Sequence, residues 1–573
     1  MRTKNLILFA IMALTLNISQ IKAQNIDREV TIEKEYTPEI DAAVKKTGIP
    51  ETENPLVEKP VSEYSSWAVP LSGTPTSQPL LVSELGSQSN YDSQRGYANY
   101  GMGNNLNINA DAGIRIINTK RNQLGLWYNH TSTGGRLKYR DNIPVYGGEE
   151  VYQYLNSNVV NLTYKHAFNR VEWSTSAAYK HNKFNYYGAK LLPQLQTLSG
   201  TDYQKVNQYA VGTSFRSTKN NDVTIDASIG FVGYYNNIGY IIGESGGREN
   251  HLTTKLSLAA RLGSNCNRLG FDVKMDNLFY NSAAEANNYT VFSFTPFYKF
   301  TNDKIRLKVG AKVDISANDG TILRFSPDFN FNADLGKYFQ FYTVVDGGKE
   351  LNTWSKMSAR NVYINPTQQL SNSYSAANAT MGVQFNYYPA ITVKVYGGFK
   401  TTTAALFDIR HNELTNDENI IISNEVVDYM PVDAYRWLAG TNISFKLKSI
   451  LEGEIKWVLN NWHSRSGGEE ILSALPKNEW NIKLGLNPIK NLSFTANFYM
   501  GLDRGYRYQN EMGIYVYEKM GDIYDLNLGA AYSLNNLISF NLQWNNILSQ
   551  HYDIYYGMPA QRMHFLLGAA VKF

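Results

Sequence analysis

Apolar and polar residues alternate with a period of two along most of this chain. Ile305, Leu307, Val309, Ala311, Val313 and Ile315 are separated by Arg306, Lys308, Gly310, Lys312 and Asp314. Val223, Ile225, Ala227, Ile229 and Phe231 alternate with Thr224, Asp226, Ser228 and Gly230. Leu492–Phe498 and Ile538–Trp544 repeat the pattern. Successive side chains of a strand point to opposite faces, so each segment reads as a strand with one apolar and one polar face. A soluble antiparallel sheet with one wet face has the same period. The repetition from residue 96 to 573, with no helical pattern between, predicts instead a closed transmembrane β-barrel. There the apolar face meets lipid and the polar face lines an aqueous lumen.

The links between segments are ordered as well. Short polar links at 119–122, 169–170, 301–304, 336–337 and 490–491 alternate with long ones. The long links lie near 138–155, 188–203, 242–248, 348–377, 408–433, 464–475 and 506–521. Short periplasmic turns and long extracellular loops mark a barrel of the outer-membrane kind. Such barrels have an even number of strands when built from one bacterial chain. Segments from Leu106 to Phe573, with Gly96–Gly103 as an added first strand, give about 22, uncertain by two or more because boundaries read poorly from sequence. A barrel of about 22 strands has a wide lumen that is usually plugged. The expected fillers are the chain before the barrel, infolded loops such as 348–377 and 408–433, or a partner protein.

The N-terminus reads as a secretory signal peptide over residues 1–23. Arg2 and Lys4 form a basic start, Leu6 to Leu16 an apolar core, and Ala23 a small residue before the cleavage point. Residues 24–95 form an extended, charged arm expected in the periplasm. Prolines recur from Pro38 to Pro79 and favour extended backbone. Its one short strand candidate, Val30, Thr31 and Ile32, with Tyr36 close by, is either a partner segment or part of a plain tether.

Composition narrows the function. Charged residues are 18% of the 573 and aromatics 13%, which excludes a disordered chain. The net charge is +4 with no basic stripe, so nucleic acid is not an expected partner. A single cysteine, Cys266, excludes an internal disulfide or a Cys cluster for zinc. Phosphate-loop and His-Glu-x-x-His signatures are absent, and no two of the eight His stand four residues apart. The one Gly-x-Ser-x-Gly, residues 243–247, lies between two strand segments instead of opening a helix, so it reads as a surface loop. Trp462-His463-Ser464 is the one spot worth checking for hydrolase chemistry. No enzyme activity, cofactor or metal is expected. Trp127, Tyr128, Trp173, Trp457, Trp462 and Trp544 suit aromatic girdles at the membrane interfaces. Tyr146, Tyr152, Tyr154, Trp354 and Tyr363 fall in long links instead. There they either pack the loops together or contact sugars, peptides or protein partners.

Several short motifs resemble Bacteroidota outer-membrane proteins labelled TonB-dependent receptor-like. They are Gly96-Tyr97, Gly101-Met102-Gly103-Asn104 and Ala110-Asp111-Ala112-Gly113 at the barrel start, and a loop motif Val345-Asp346-Gly347-Gly348-Lys349-Glu350-Leu351-Asn352 followed by Asn361-Val362-Tyr363. The N-terminal run from Val30 to Pro38 is similar too. The chain's end, with apolar residues at alternate places back from Phe573 through Val571 to Phe565, resembles the signal that barrel-assembly machinery reads. The resemblance implies an outer-membrane location, outer-membrane lipid around the barrel, and transport or uptake of an unidentified substrate. It further implies a surface lipoprotein or a periplasmic energising or scaffold protein as partner. Residues 24–95 do not supply the full folded plug of such receptors. The alternative is therefore a non-transporting structural subunit of an outer-membrane assembly, secretion or surface-protein complex.

Overall fold

The computed structural model describes residues 95–573, apart from 144–146, 189–202, 219–221, 240–244, 264–265, 282–285, 369, 388–389, 415–419 and 510–514. The expected signal peptide (1–23), the arm up to residue 94 with Val30, Thr31, Ile32 and Tyr36, and Tyr146 lie outside the described residues.

Twenty-two antiparallel strands form one sheet that closes on itself. Each strand pairs with its chain neighbours, and the first, Gly96–Gly103, pairs with the last, His564–Lys572, from Tyr97 against Lys572 to Gly103 against Leu566. The backbone N–H groups of Arg95 and Gly96 both donate to the carbonyl of Phe573, at 2.7 and 2.8 Å. Closure removes both sheet edges, which is what lipid demands, since an unpaired backbone group finds no water there. Among the described residues no helix is long and apolar enough to cross a membrane; the strands do the crossing.

The alternation sorts the faces as the sequence predicts. Val309, Ile315, Phe540 and Trp544 are exposed on the outer surface, while Asp314 is buried. Charges that would cost about 2–4 kcal/mol each facing lipid at the midplane pair on the inner face instead. Lys308 bridges Asp272 at 3.0 Å and Asp328 at 2.6 Å, and Arg306 meets Asp334 at 3.3 Å. Phe565, Val571 and Phe573 stand exposed on the closing strand and its end.

Four expectations are corrected. The segment 408–433 is not an irregular loop. The strands Ile391–Leu414 and Ile420–Leu447 run on past their neighbours as a paired ribbon. Pro431, though it has no N–H to donate, keeps register opposite Leu406. Likewise 506–521 contains a separate hairpin of Arg504–Gln509 and Tyr515–Met520. The stretch without helices holds one, Trp354–Arg360, whose seven residues are too few to show a 3.6-residue period. Finally, Trp462 is no girdle residue. It is 1% exposed, beneath Phe407, because the ribbon folds over that end of its strand.

Candidate functional site

The glycine motif interrupts the regular ladder of the barrel wall. Val345–Glu350 is strand, not loop, and the ladder shifts register between Asp346 and Gly348. Gly348 has φ +117°, and a Cβ there would lie 2.8 Å from Lys312 Cδ and 2.9 Å from an Asp314 carboxylate oxygen. Only glycine serves at such a position. The bulge sets the direction of the next two side chains. The Lys349 backbone N–H donates to Asp314 at 2.8 Å. Its ammonium donates to Ser316 Oγ at 2.9 Å and the Asp319 carbonyl at 2.8 Å, and pairs with the Asp319 carboxylate. Glu350 pairs with Lys400 at 2.5 Å.

From this bulge residues 351–372 leave the barrel wall and cross its outer mouth. Thr353 caps the short helix, its hydroxyl accepting from Lys356 N–H at 3.2 Å. The buried carboxylate of Glu249, on the eighth strand, Arg248–Arg261, accepts from the N–H groups of Trp354 (2.7 Å) and Ser355 (3.2 Å) and from the Tyr280 hydroxyl (3.0 Å). A carboxylate at a helix N-terminus satisfies donors that have no partner within the helix. Beyond the helix, Tyr363 meets Phe184 and Tyr187 edge-on at 5.6 and 5.3 Å. The segment then ladders onto the ribbon. Val427 N–H donates to the Tyr363 carbonyl at 2.9 Å, Asn365 N–H to the Val427 carbonyl at 3.1 Å, and Gln368 exchanges two bonds with the Tyr429 backbone. It leaves the thirteenth strand and touches the end of the fifth, so it spans the opening as a crossbar.

Other loops complete the layer. Tyr139 donates to the Tyr187 carbonyl at 2.9 Å, and Tyr187 to the Pro559 carbonyl at 3.1 Å. The Arg504 guanidinium, 1% exposed, donates to the carbonyls of Ala474, Asp553 and Ile554. Phe184, Tyr187, Trp354, Met357, Tyr363 and Phe407 belong to one buried cluster with Trp462, Tyr555 and Met558. Full burial of such side chains contributes about 1.5–3 kcal/mol each. Burial pushes the Tyr363 phenol up to about 12 and Tyr187 well above its ordinary range.

Burial likewise raises the Asp553 carboxyl, whose Oδ1 has no hydrogen-bond partner while the other oxygen accepts from Gly557 N–H at 3.3 Å. The folded layer thus holds this proton more tightly than the unfolded chain does. Its stability falls as pH rises through the window from the ordinary carboxylate value to the raised one. Asp553→Asn keeps an acceptor and removes the charge. The variant's loop layer should resist protease nicking better than the parent at pH 7.5, with the gain vanishing below about pH 4, where both forms are neutral. Equal resistance at both pH values would count against the assignment.

Where the crossbar leaves the wall, a cleft of about 390 Å³ opens beside it. Tyr289, Arg324, Tyr374, Asp319, Asn352 and Asn372 line it with Trp354 and Glu249. The Arg324 guanidinium lies 4.3 Å over the Tyr374 ring and donates to Thr321 Oγ1 at 3.1 Å. Asn372 donates to Asp319 at 2.9 Å and accepts from Asn352 N–H at 2.9 Å.

Of the loop aromatics named from sequence, Trp354 and Tyr363 come together inside the layer, at 2% and 0% exposure. They are packing residues there, not exposed contacts. Tyr152 stands exposed away from them, and Tyr154 packs edge-on against Tyr203 at 5.2 Å. Ser245 forms an isolated bridge with Ile238, and a strand follows it. His463 Nδ1 meets the Gly468 carbonyl at 3.1 Å and Ser464 meets Ser466 at 2.9 Å, so each has its own partner. Among the described residues no His, Cys, Asp and Glu group could hold a metal. Sequence reasoning missed Glu249, Asp319 and Arg324. The usable signal was the Gly347-Gly348 pair within an otherwise alternating strand, which marks a bulge.

No family model matches the chain, and no curated protein matches it in sequence. Its fold is similar to those of solved outer-membrane receptors. The siderophore receptor PirA from Acinetobacter baumannii matches with a TM-score of 0.63 at 9% identity, over 84% of this chain and 80% of that one. A mutant ferric enterobactin receptor, PfeA, from Pseudomonas aeruginosa matches with a TM-score of 0.62 at 11% identity, over 84% and 80%. The copper transporter OprC matches with a TM-score of 0.58 at 12% identity, over 84% and 81%. At these identities the likeness is one of fold: a closed antiparallel barrel like those of these solved proteins.

Proposed function

We propose that this chain is an outer-membrane transporter that takes up a solute captured at its outer face. One observation carries the reading: a barrel of 22 strands has its mouth spanned by a folded layer. An open barrel of this width would pass solutes freely, whereas a spanned one suits gated uptake. The similar receptors bind siderophores by name and one transports copper. By that analogy the substrate is a metal chelate or another solute too large for passive pores. Energy would come from a periplasmic partner engaging the arm at Val30–Ile32 and Tyr36. Assembly would read Phe573, Val571 and Phe565, and we assign no catalytic residue. The second reading, a non-transporting structural subunit, draws on the apolar core of the same layer, which suits a permanent lid. Purifying the chain from its native membrane in mild detergent and identifying its stoichiometric partners decides between them. A TonB-type energiser or a surface lipoprotein is expected. Secretion or assembly components alone would overturn uptake.

A further inference from the structure

We infer that the outward face of the third to sixth strands is a docking surface for outer-leaflet lipid, which it holds by the phosphates of the headgroups. The inference rests on the outer-membrane placement in the proposed function and is independent of uptake.

The first observation is the height of the apolar belt. A strand needs about 9–11 residues to cross the hydrocarbon layer. On the strands Ile305–Ala317 and Leu323–Asp334 the outward positions are apolar from Ile305 to Ile315 and from Leu323 to Ala333. On the third strand, Asn122–Lys138, they are apolar only from Leu124 to Tyr128, and on the fourth, Glu150–Ala167, only from Val160 to Tyr164. On the fifth, Val171–Asn185, and the sixth, Tyr203–Ser217, the belt ends at Tyr179 and Tyr209. The next outward residues, toward the long loops, are His130, Asn158, His181 and Asn207. They stand directly opposite one another in a single row. Tyr179 and Tyr209 are exposed on the same face, whereas the alternate residues Asn182 and Val206 are buried, so the row points out of the barrel. A short belt is accommodated by local thinning of the bilayer, which brings headgroups down to this row.

The second observation is that the row is braced. Asn158 Oδ1 accepts from the Tyr128 hydroxyl and from His130 Nδ1, each at 2.9 Å. Asn207 Oδ1 accepts from the Tyr179 hydroxyl and from His181 Nδ1, each at 2.8 Å. The same arrangement thus occurs twice along the wall, and it anchors the girdle tyrosines to the polar groups above them.

The third observation is charge. Lys183 stands directly opposite Lys205, and like charges so placed repel. The Lys183 ammonium lies 4.5 Å from the centre of the Tyr203 ring and 5.5 Å from that of Tyr154. The row continues through Tyr235 to Arg248, whose guanidinium lies 4.8 Å over the Tyr235 ring. Among the described residues, the outward face of the third to eighth strands carries one carboxylate, Glu150, and Arg136 engages it at 3.2 Å. The two lysines and Arg248 are left for an external anion. Phosphate suits them, because its oxygens accept from several charged N–H donors at once. Seated between Lys183 and Lys205, it turns their repulsion into attraction. Headgroup phosphates lie at the edge of the hydrocarbon, the level that a tyrosine girdle marks. Basic groups at that level attract anionic lipid.

The test titrates the purified full chain in mild detergent with bis-phosphorylated lipid A, dephosphorylated lipid A, phosphatidylcholine and inorganic phosphate, and reads binding by native mass spectrometry. The phosphorylated lipid should bind at least about tenfold more tightly than the other two lipids, and the double variant Lys183→Gln, Lys205→Gln should lose about tenfold or more of that affinity. Lys337→Gln, at a short turn on the opposite end of the barrel, should bind like the parent. Heat-modifiable migration on gels confirms that each variant is folded. Equal binding of the dephosphorylated lipid, or binding insensitive to the double variant, overturns the inference. Displacement of the lipid by millimolar inorganic phosphate would make this a site for the free ion and overturns it too. In native membranes a photo-crosslinker at position 209 should capture lipid; capture of a second copy or of another protein in its place counts against lipid as the occupant. Neither readout involves transport, so failure here leaves the uptake reading intact, and membrane fractionation tests the placement separately.

Discussion

Excising residues 353–371, with a short Gly-Ser link from Asn352 to Asn372, should leave a folded barrel that conducts several-fold more ions in planar bilayers than the intact chain. The excision is mild for the wall. Glu350 and Ser373 are already paired across the ladder, and Asn352 N–H donates to Asn372 at 2.9 Å, so the cut ends are neighbours. Its effect on the mouth is large. The crossbar contributes Trp354, Met357, Tyr363 and Ile364 to the buried layer. Without it, the ribbon loses its partners at Val427 and Tyr429, and Glu249 is left as a buried carboxylate without the helix donors. Breaking such a site is costly because, of its three donors, the remaining charge keeps only the Tyr280 hydroxyl.

The same experiment separates the two fillers that the sequence makes available. If the crossbar closes the mouth, excision alone opens the pore, and removal of residues 24–95 alone does not. If the arm fills the lumen from the periplasm, only its removal raises conductance. A rise only when both are removed would mean two seals in series. A crossbar-free barrel that stays as closed as its parent, with or without the arm, would refute the crossbar as the seal. Glu249→Gln gives a milder form. It keeps one acceptor for Trp354 or Ser355 and removes the charge, so brief openings should become more frequent without the steady current of the excised form.

What the sequence made legible is the part governed by a single short period. Every residue of Ile305–Ile315 falls on the face its alternation assigns, because lipid on one side and water on the other leave one register. The links at 169–170, 301–304 and 490–491 were readable because polar residues interrupt that period. The mouth was not readable, for a physical reason. Loops that pack on one another use contacts remote in sequence, such as Tyr187 with Pro559 and Trp354 with Glu249. No local period encodes them. Trp354 and Tyr363 look the same in sequence whether they wait for a ligand or fill a core. Only the neighbours brought by Phe184 and Gly247 decide it. Gly247 is telling, since a Cβ there would stand 2.2 Å from the Trp354 ring. That glycine makes the space for an indole more than a hundred residues away. The cleft was hidden likewise: Asp319 and Asn372 lie in different links, yet Asn372 donates to Asp319 at 2.9 Å and Lys349 pairs with the same carboxylate.

Replacing Gly103 with valine should cut the yield of heat-modifiable barrel by about tenfold, since each 1.4 kcal/mol is a factor of ten. The position lies on the seam where the first and last strands meet, opposite Leu566. A Cβ there would fall 1.7 Å from the Phe565 carbonyl oxygen and 2.7 Å from its carbonyl carbon. Overpacking costs about 1–3 kcal/mol even where side chains can shift. Here the obstacle is backbone, held by its own bonds, since Phe565 N–H donates to Asn104 Oδ1 at 2.9 Å. No rotamer relieves the clash, so the closing strand must move away at the rim and leave unpaired groups facing lipid. Gly101 is the matched control on the same strand. Its Cβ would sit 3.6 Å from the Leu567 carbonyl oxygen, an ordinary contact, so Gly101→Ala should assemble like the parent. Gly96→Ala should be intermediate, because the atoms it meets at 2.7 Å are the far edge of the Phe573 ring, which can turn aside. If all three variants assemble equally, the seam is not closed by the register described, and the pairing of Gly103 with Leu566 would have to be abandoned.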